Sequence, residues 1–427
     1  MALWVFVDMG QIPAGERLKD QVEKIYPSLV EIRRDLHMHP ELGFSEARTA
    51  KIIAGVLREL GLEVQTGLAG TGVLGILAGA RVGRTIAIRA DMDALSICEE
   101  GEGKPYASQT PGVMHACGHD GHTTVVLGIA KLLASHRERL QGCVKFIFQP
   151  GEERPKVLGP PAESLYRESV NAVTGATLMI EAGVLEDPKV DAIIGLHLWP
   201  DLPVGTIGVQ YGATMAGVGN FHIIVRGKSS HAAKPQHGID AIAAAAQWIT
   251  LAQLLVSRFN PPERALVLNV GTIQGGCRRN VIADRVDMTG TIRSYDPELL
   301  HSELPARLQK MLQGVTEAMG ATYEFHYNPL IGPVVNEPVI TRQVKESIRR
   351  ILGPDKVVVL QEPAMVSEDF AFYLNEVPGT HIKIGCANPS KGFVFPLHSS
   401  RFDFDERALA WGVLALGQAT LDLLESD

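Results

Sequence analysis

Apolar residues recur along this chain in two rhythms, and the alternation between them lays out its elements. Between residues 18 and 60 they return at helical spacing. Val22, Ile25, Val30 and Ile32 predict a helix from about Leu18 to Leu36. A second helix is expected from Ser45, acting as a serine cap, to Leu60, with Gly61 as its stop. Four short apolar runs follow, GVLGILAG, TIAIRAD, CVKFIFQP and DAIIGLHL, separated by helical stretches such as Thr123 to Ser135. Unbroken apolar runs suit strands buried on both faces. Alternating with helices, they predict an α/β layer around a mostly parallel sheet.

The texture changes near Tyr211. NFHIIVRG and ALVLNVGTIQGG read as half-buried strands, as do DRVDMTGTIRSYD and ATYEFHYNPL. AIAAAAQWITLAQLLV and PELLHSELPARLQKMLQGVTEAMG read as helices. Their order, β-α-β-β-α-β, is ferredoxin-like. This α+β unit is expected at 211–328, inserted into an α/β unit formed by 15–210 and 329–427. Residues 154–173 are weakly patterned and contain Pro and Glu, so they read equally as an active-site flap or a neutral surface insertion.

Composition narrows the function. At roughly 100–200 residues per domain, 427 residues suffice for two or three cored domains. The 45% apolar and 21% charged content argues against extensive disorder. A formal net charge of −8 makes nucleic acid and anionic membrane surfaces unexpected partners. Cys98, Cys117, Cys143, Cys277 and Cys386 are odd in number, scattered and without a CxxC pair. They suit a reducing, cytoplasmic setting rather than a disulfide framework. The opening MALWVFVDMG has no basic start and reads as an extension rather than a signal peptide. Without about 18 uninterrupted apolar residues, no membrane span is expected.

The densest chemistry lies in MHACGHDGHTT at 114–124, where Cys117 and His119 sit in a glycine-containing loop before a helix. A structural zinc knot would need a second local Cys/His pair, which the chain lacks. A nucleophilic cysteine would use His119 as base. A redox cysteine would want a resolving partner, and none is adjacent. A catalytic metal centre needs further ligands at neighbouring strand ends. Candidates are Glu152 and Glu153 in QPGEER, His197 in GLHLWP, His398 in FPLHSSRFDFDE, and Asp91 and Asp93 in IRADMDAL. Each has a plain structural alternative: an acidic turn, a packed strand histidine or an ordinary loop histidine. Together they lie where open α/β sheets bind ligands. The inventory fits two metal ions about 3.5–4 Å apart, with Cys117 as a bridging thiolate.

These motifs, with SSHAAKPQHGIDAIAAA, NVGTIQGG, GTIRSYD and VSEDFAFY, resemble the series of the co-catalytic amidohydrolase and carboxypeptidase family. That family includes hippurate hydrolases, aminoacylases, indole-acetyl-amino-acid hydrolases and carboxypeptidase G-like enzymes. The resemblance runs in order from RRDLHMHPELGFSE nearly to the C-terminus and falls in the branch with HACGHD. It implies a metallopeptidase-like catalytic domain with two divalent metal ions per subunit, and an inserted domain for dimerisation and lid closure. It further implies that Cys117 bridges the ions, with Glu153 and His398 completing one ligand set and His119 and His197 the other. Glu152 would be the general base, and Asp93 the carboxylate that orients a ligand. His231 resembles a histidine that reaches an active site across the dimer, and Asn280 and Arg293 resemble substrate-carboxylate contacts. Zinc or manganese is expected, with cobalt or nickel fitting the same donors. Two departures, Arg154 after the Glu pair and SSHAA in place of GGHAA, bear on substrate choice.

The expected activity is metal-dependent hydrolysis of the amide of an N-acyl amino acid or short peptide with a free carboxylate, by a homodimer or higher homo-oligomer. Two other readings are a hydrolase using Cys117 as nucleophile and a non-catalytic binding relative on the same scaffold. His37 and His39 are expected to pack and cap a helix end, His115 and His122 to flank the metal loop, and Ser367 to cap a helix beginning in VSEDFAFY.

Overall fold

Two sheets organise the protein, and the computed structural model describes them through residues 18–100, 103–153, 156–157 and 172–426. The larger sheet takes β1 (Glu63–Leu68), β2 (Gly72–Ala78), β3 (Arg81–Asp91), β4 (Gln141–Gln149), β5 (Ala192–Pro203), β6 (Ile207–Val209), β13 (Val357–Val359) and β14 (Gly379–Ala387). Its order is β1-β2-β4-β3-β5-β14-β6-β13. The centre, β4 through β3 and β5 to β14, is parallel, while β1, β2 and β6 join antiparallel.

Alternation along these strands feeds two cores. Ile88, Phe146, Ile194 and Ile382 meet α1 (Leu18–Met38), α2 (Ala47–Glu59), α3 (His119–Ala134), α7 (Pro338–Leu352) and α9 (Arg407–Glu425). Ala87, Ile147 and Ile193 face Met179 of α4 (Gly175–Glu181) and Tyr373 of α8 (Ala371–Glu376). The expected continuous apolar strands are therefore buried on both faces, as parallel sheets require.

The second sheet is antiparallel, in the order β9-β10-β8-β11, from β8 (Gly217–Arg226), β9 (Leu266–Gly275), β10 (Arg285–Ser294) and β11 (Thr322–Ile331). α5 (Ala241–Leu254) and α6 (Leu304–Met319) cover one face, with Trp248 and Leu308 packed on Phe221, Val286 and Met288. This is the expected β-α-β-β-α-β arrangement. Where the chain enters and leaves, β7 (Gly212–Met215) pairs with β12 (Val334–Asn336).

Several local expectations change. Ser45 does not cap α2. Glu46 holds that position without a side-chain cap bond, and its carboxylate instead accepts from Thr71 Oγ1 and Gly151 N. Gly61, at φ 72°, does stop the helix, in the left-handed conformation glycine tolerates. Ser367 caps nothing: α8 starts at Ala371, and Ser367 Oγ accepts from Arg293. The helix expected from Pro297 opens as a widened turn over Leu299–Glu303, because Pro305 brings no N–H and crowds the preceding turn.

Among the described residues, one helix, Ala241–Phe259, is long and apolar enough by composition to cross a membrane. No uninterrupted apolar run had marked it, because Gln247, Thr250 and Gln253 break it. Its buried side chains, Ala244, Ala245, Trp248 and Ala252, lie against the second sheet. The readings of the first ten residues and Arg154, and nearly all of 154–173, lie outside the described residues.

Candidate metal centre

Three parallel strands end along one edge of the larger sheet, and that edge gathers the chemistry. β3 delivers Asp91 and leads to Asp93, β4 leads to Glu152 and Glu153, and β5 carries His197 within its span rather than at its end. His119 is the first residue of α3, not part of the preceding loop. The helix can start there because Gly118 takes φ 86°, and a Cβ at Gly118 would meet Leu198 Cδ1 at 3.2 Å.

Two trios of donors share Cys117. The ligand atoms of Cys117, His119 and His197 lie within 4.8 Å of one another, and so do those of Cys117, Glu153 and His398. Cys117 Sγ is 3.4 Å from His197 Nε2 and 3.3 Å from His398 Nε2. Glu153 Oε1 is 3.0 Å from His398 Nε2. The second nitrogen of each inner imidazole is engaged elsewhere. His197 Nδ1 meets Leu198 O at 2.6 Å, and His119 Nδ1 meets Asp93 Oδ1 at 3.2 Å. Both rings thus present Nε2 inward. His119 Nε2 is buried and has no hydrogen-bond partner among the described residues. An orphaned imidazole nitrogen beside a thiol and a carboxylate suits a metal ion, since a buried polar nitrogen left unmatched is costly.

The local charge balance points the same way. Burial pushes the Glu152 carboxyl well above its ordinary range, and Glu368, Glu153, Asp369 and Asp93 raise it further. Burial, then Glu153 and Glu152, likewise push the Cys117 thiol up. Burial works against a charged His119, yet Asp91, Asp93 and Glu153 outweigh it and hold the imidazole up to about 10. Acidic groups that raise one another in a desolvated space are the setting in which a cation is most strongly held.

The surroundings hold this arrangement in register. Asp93 Oδ2 accepts from Glu153 N at 2.9 Å, so one carboxylate fixes both His119 and the Glu-pair turn. His122 donates to Asp91 at 2.7 Å and accepts from Leu198 N at 2.9 Å, which leaves neither nitrogen for a metal. His398 sits at φ 63°, strained for a residue with a Cβ, and its N–H donates to Ala116 O.

Arg89, fully buried, reaches Asp91 at 2.7 Å, Glu368 at 3.0 Å and Asp369 at 2.6 Å. Glu152, Glu368 and Asp369 form a further close carboxylate group. Sequence reasoning passed over Arg89, Glu368 and Asp369. The available signal was the adjacent acidic pair in VSEDF, the same signal that marked Glu152 and Glu153.

Behind α3, Arg33 pairs with Asp120 at 2.9 Å and Asp403 at 2.6 Å, while His37 joins Asp120 and Glu99. His37 is thus an ion-network residue as well as a packed one. His39 Nδ1 meets Asp35 O at 2.8 Å at the helix end. Burial opposes ionisation of Glu99 and Asp403. His37 and Lys104 on Glu99, with Arg33 and Lys104 on Asp403, more than offset it and hold both carboxyls near 2. Groups depressed on folding contribute stability above their unfolded pKa and lose it as pH falls through the folded value. Denaturant midpoints are therefore expected to drop between about pH 4.5 and 2, each group contributing on the order of 2–3 kcal/mol. A midpoint unchanged between pH 5 and 3 would contradict this.

The remaining predicted residues belong to the unit built on the second sheet, Arg293 in β10 and His231 and Asn280 in its loops. His231 is exposed, forms a bridge to Val281, and accepts from Ala233 N at Nδ1. Asn280 is exposed beside it, its carbonyl accepting from Ala232 N. Arg293 contacts Met365 O at 3.0 Å and Ser367 Oγ at 2.9 Å and pairs with no carboxylate among the described residues. Burial alone lowers its pKa. Among the described residues, no hydrogen bond or ion pair joins these three side chains to the Cys117 cluster.

Residues 87–421 match the profile of Peptidase family M20/M25/M40. A probable hydrolase of Synechocystis sp. is 41% identical, covering 94% of this chain and 97% of its own. An N-acyl-L-amino acid amidohydrolase of Geobacillus stearothermophilus is 41% identical over 75% of this chain and 81% of its own. A Bacillus subtilis protein, solved as a dinuclear metal-binding peptidase of the M20 family, superposes with a TM-score of 0.79. It is 35% identical and covers 95% of this chain and 100% of its own. With matches of this extent running along nearly its whole length, the chain belongs to peptidase family M20/M25/M40.

Proposed function

We propose that this protein hydrolyses the amide of N-acyl amino acids or short peptides bearing a free carboxylate, using two divalent metal ions. The observation that carries the reading is the pair of donor trios meeting at Cys117, with Glu152 beside them. Cys117, His119 and His197 would hold one ion, and Cys117, Glu153 and His398 the other. Thiolate and imidazole suit zinc, and manganese, cobalt or nickel fit the same donors. Ions bound there would supply Lewis-acid polarisation of the scissile carbonyl and a water of lowered pKa.

The chain's own groups do the rest. Glu152 accepts the proton of the attacking water and delivers it to the leaving amine. Its buried, carboxylate-rich setting gives it the basicity this needs. Asp93 fixes the ring of His119. His231, brought in from the inserted unit, donates to the developing oxyanion. Arg293 and Asn280 hold the substrate carboxylate, and an Arg293 without a counter-ion suits bidentate binding. Closure of the insert, 211–328, over the catalytic unit, 15–210 with 329–427, would exclude water.

A homodimer joined through the insert fits the unpaired edge of β9, where Val267 is 39% and Ile273 51% exposed. The five free cysteines suit the cytoplasm. Cys117 as nucleophile fits less well, because burial, then Glu153 and Glu152, raise its thiol instead of activating it.

The test is a hydrolysis screen over N-acetyl, N-benzoyl and indole-acetyl amino acids and dipeptides, with metal content measured on the same samples. Turnover is expected for free carboxylates, and at least a tenfold fall in kcat/KM for their carboxamides, since the half-buried Arg293 then loses its anionic partner. Equal turnover of both would remove the carboxylate contact. No turnover of any compound by fully metallated protein would remove the activity.

A further inference from the structure

Two neighbouring loops of the insert carry a charge excess that the reading above leaves unused. The loop 228–239 is closed by reciprocal backbone bonds between Lys228 and Ile239. It is zipped to residues 280–283 through Ala232 N to Asn280 O and Ile282 N to Ser230 O. A bond from Val281 N to Arg278 O turns the chain, so that Arg278, Arg279 and Asn280 together line a cavity of about 430 Å³. Both arginines are exposed, and neither forms an ion pair among the described residues. Lys228 and Lys234 stand on the facing loop, equally exposed and without an ion pair among the described residues.

The carboxylates nearby in sequence are Asp240 and Asp284. Asp240 is committed to capping α5 through Ile242 N and Ala243 N. Asp284 is exposed and forms no ion pair among the described residues, so the two loops that hold His231 and Asn280 carry four cationic side chains, on a chain whose formal net charge is −8. Unpaired guanidinium groups lining one cavity are a fork for a carboxylate, and solubility gives no reason to concentrate them there.

We infer that Arg278 and Arg279 recognise a second carboxylate on the substrate, besides the one held by Arg293 and Asn280. The preferred substrate class is therefore dianionic: an N-acyl aspartate or glutamate, or an amino acid carrying a dicarboxylic acyl group. This rests on the proposed placement of His231 and Asn280 at the substrate.

The metal-loaded protein should be assayed with two isosteric pairs. N-acetyl-glutamate against N-acetyl-glutamine places the extra charge in the amino-acid half, and N-succinyl- against N-succinamoyl-methionine places it in the acyl half. One pair is expected to show at least a tenfold preference for the dianion in kcat/KM. R278A/R279A should collapse that ratio to within about twofold, and R278E/R279E should invert it. The pair that responds identifies which half bears the charge. Dianion ratios near one for both pairs in the unaltered protein, or a ratio that survives R278A/R279A, would overturn the inference. If no amide is turned over, the hydrolase reading fails by itself. Titration of metal-loaded protein with glutarate against glutaramate then decides the anion site: a glutarate preference lost in R278A/R279A upholds it, and equal binding overturns it.

Discussion

Replacing Glu152 with glutamine is expected to lower kcat by about 10³-fold while leaving metal content and folding intact. Glutamine keeps the shape and removes the proton acceptor. Glu152 stands outside both Cys117 trios, so two ions per chain should remain. Burial, and then Glu368, Glu153, Asp369 and Asp93, raise its carboxyl, so an uncharged amide there avoids both desolvation and repulsion. The variant should therefore melt no lower than the parent and could melt higher, as expected where function and stability pull apart. Metal analysis, a melting curve and single-turnover kinetics on one preparation separate these outcomes. Full activity in Glu152→Gln would remove Glu152 as the base, and lost metal would recast it as a ligand.

The second large effect is expected from Cys117→Ala. Cys117 is the one donor common to the two trios, so both ion sites lose a ligand at once. Metal content should fall below that of either His119→Ala or His398→Ala, each of which removes a donor from a single trio. Activity should fall by about 10³–10⁴-fold, matching the several kcal/mol of charge stabilisation that bound ions supply. Chelation of the parent protein should reproduce this loss. Restoring zinc, manganese, cobalt and nickel one at a time would rank the metals. Retained turnover after exhaustive metal removal, abolished by alkylation of Cys117, would instead install the cysteine as nucleophile.

The residues legible in the sequence were those whose chemistry is dense locally. Cys117 and His119 stood out because an ordinary turn has no use for so many ligand types, and Glu152–Glu153 because adjacent acids repel. Arg89 was not legible. It lies in an apolar strand, and its partner Asp369 is 280 positions away, so only the folded sheet reveals that the charge is neutralised. The same holds for α1, whose buried side runs through Leu29, Arg33, Leu36 and His37. An apolar pattern ends where such a stripe turns polar, although the core does not. Element identities followed from periodicity, whereas the start of α2 and the widened turn before Pro305 depended on competition among hydrogen bonds that a pattern does not encode.

The two trios differ in their access to water. His119 and His197 are buried, whereas the His398 side chain is 51% exposed, on a backbone strained at φ 63°. Relaxing that one residue would open a wall of its trio without disturbing α3 or β5. An ion held by Glu153 and His398 would therefore exchange with the medium quickly, and its neighbour slowly. The protein would then respond to a changing metal supply one site at a time, the outer position taking its identity from the surroundings and the inner one from the moment of folding.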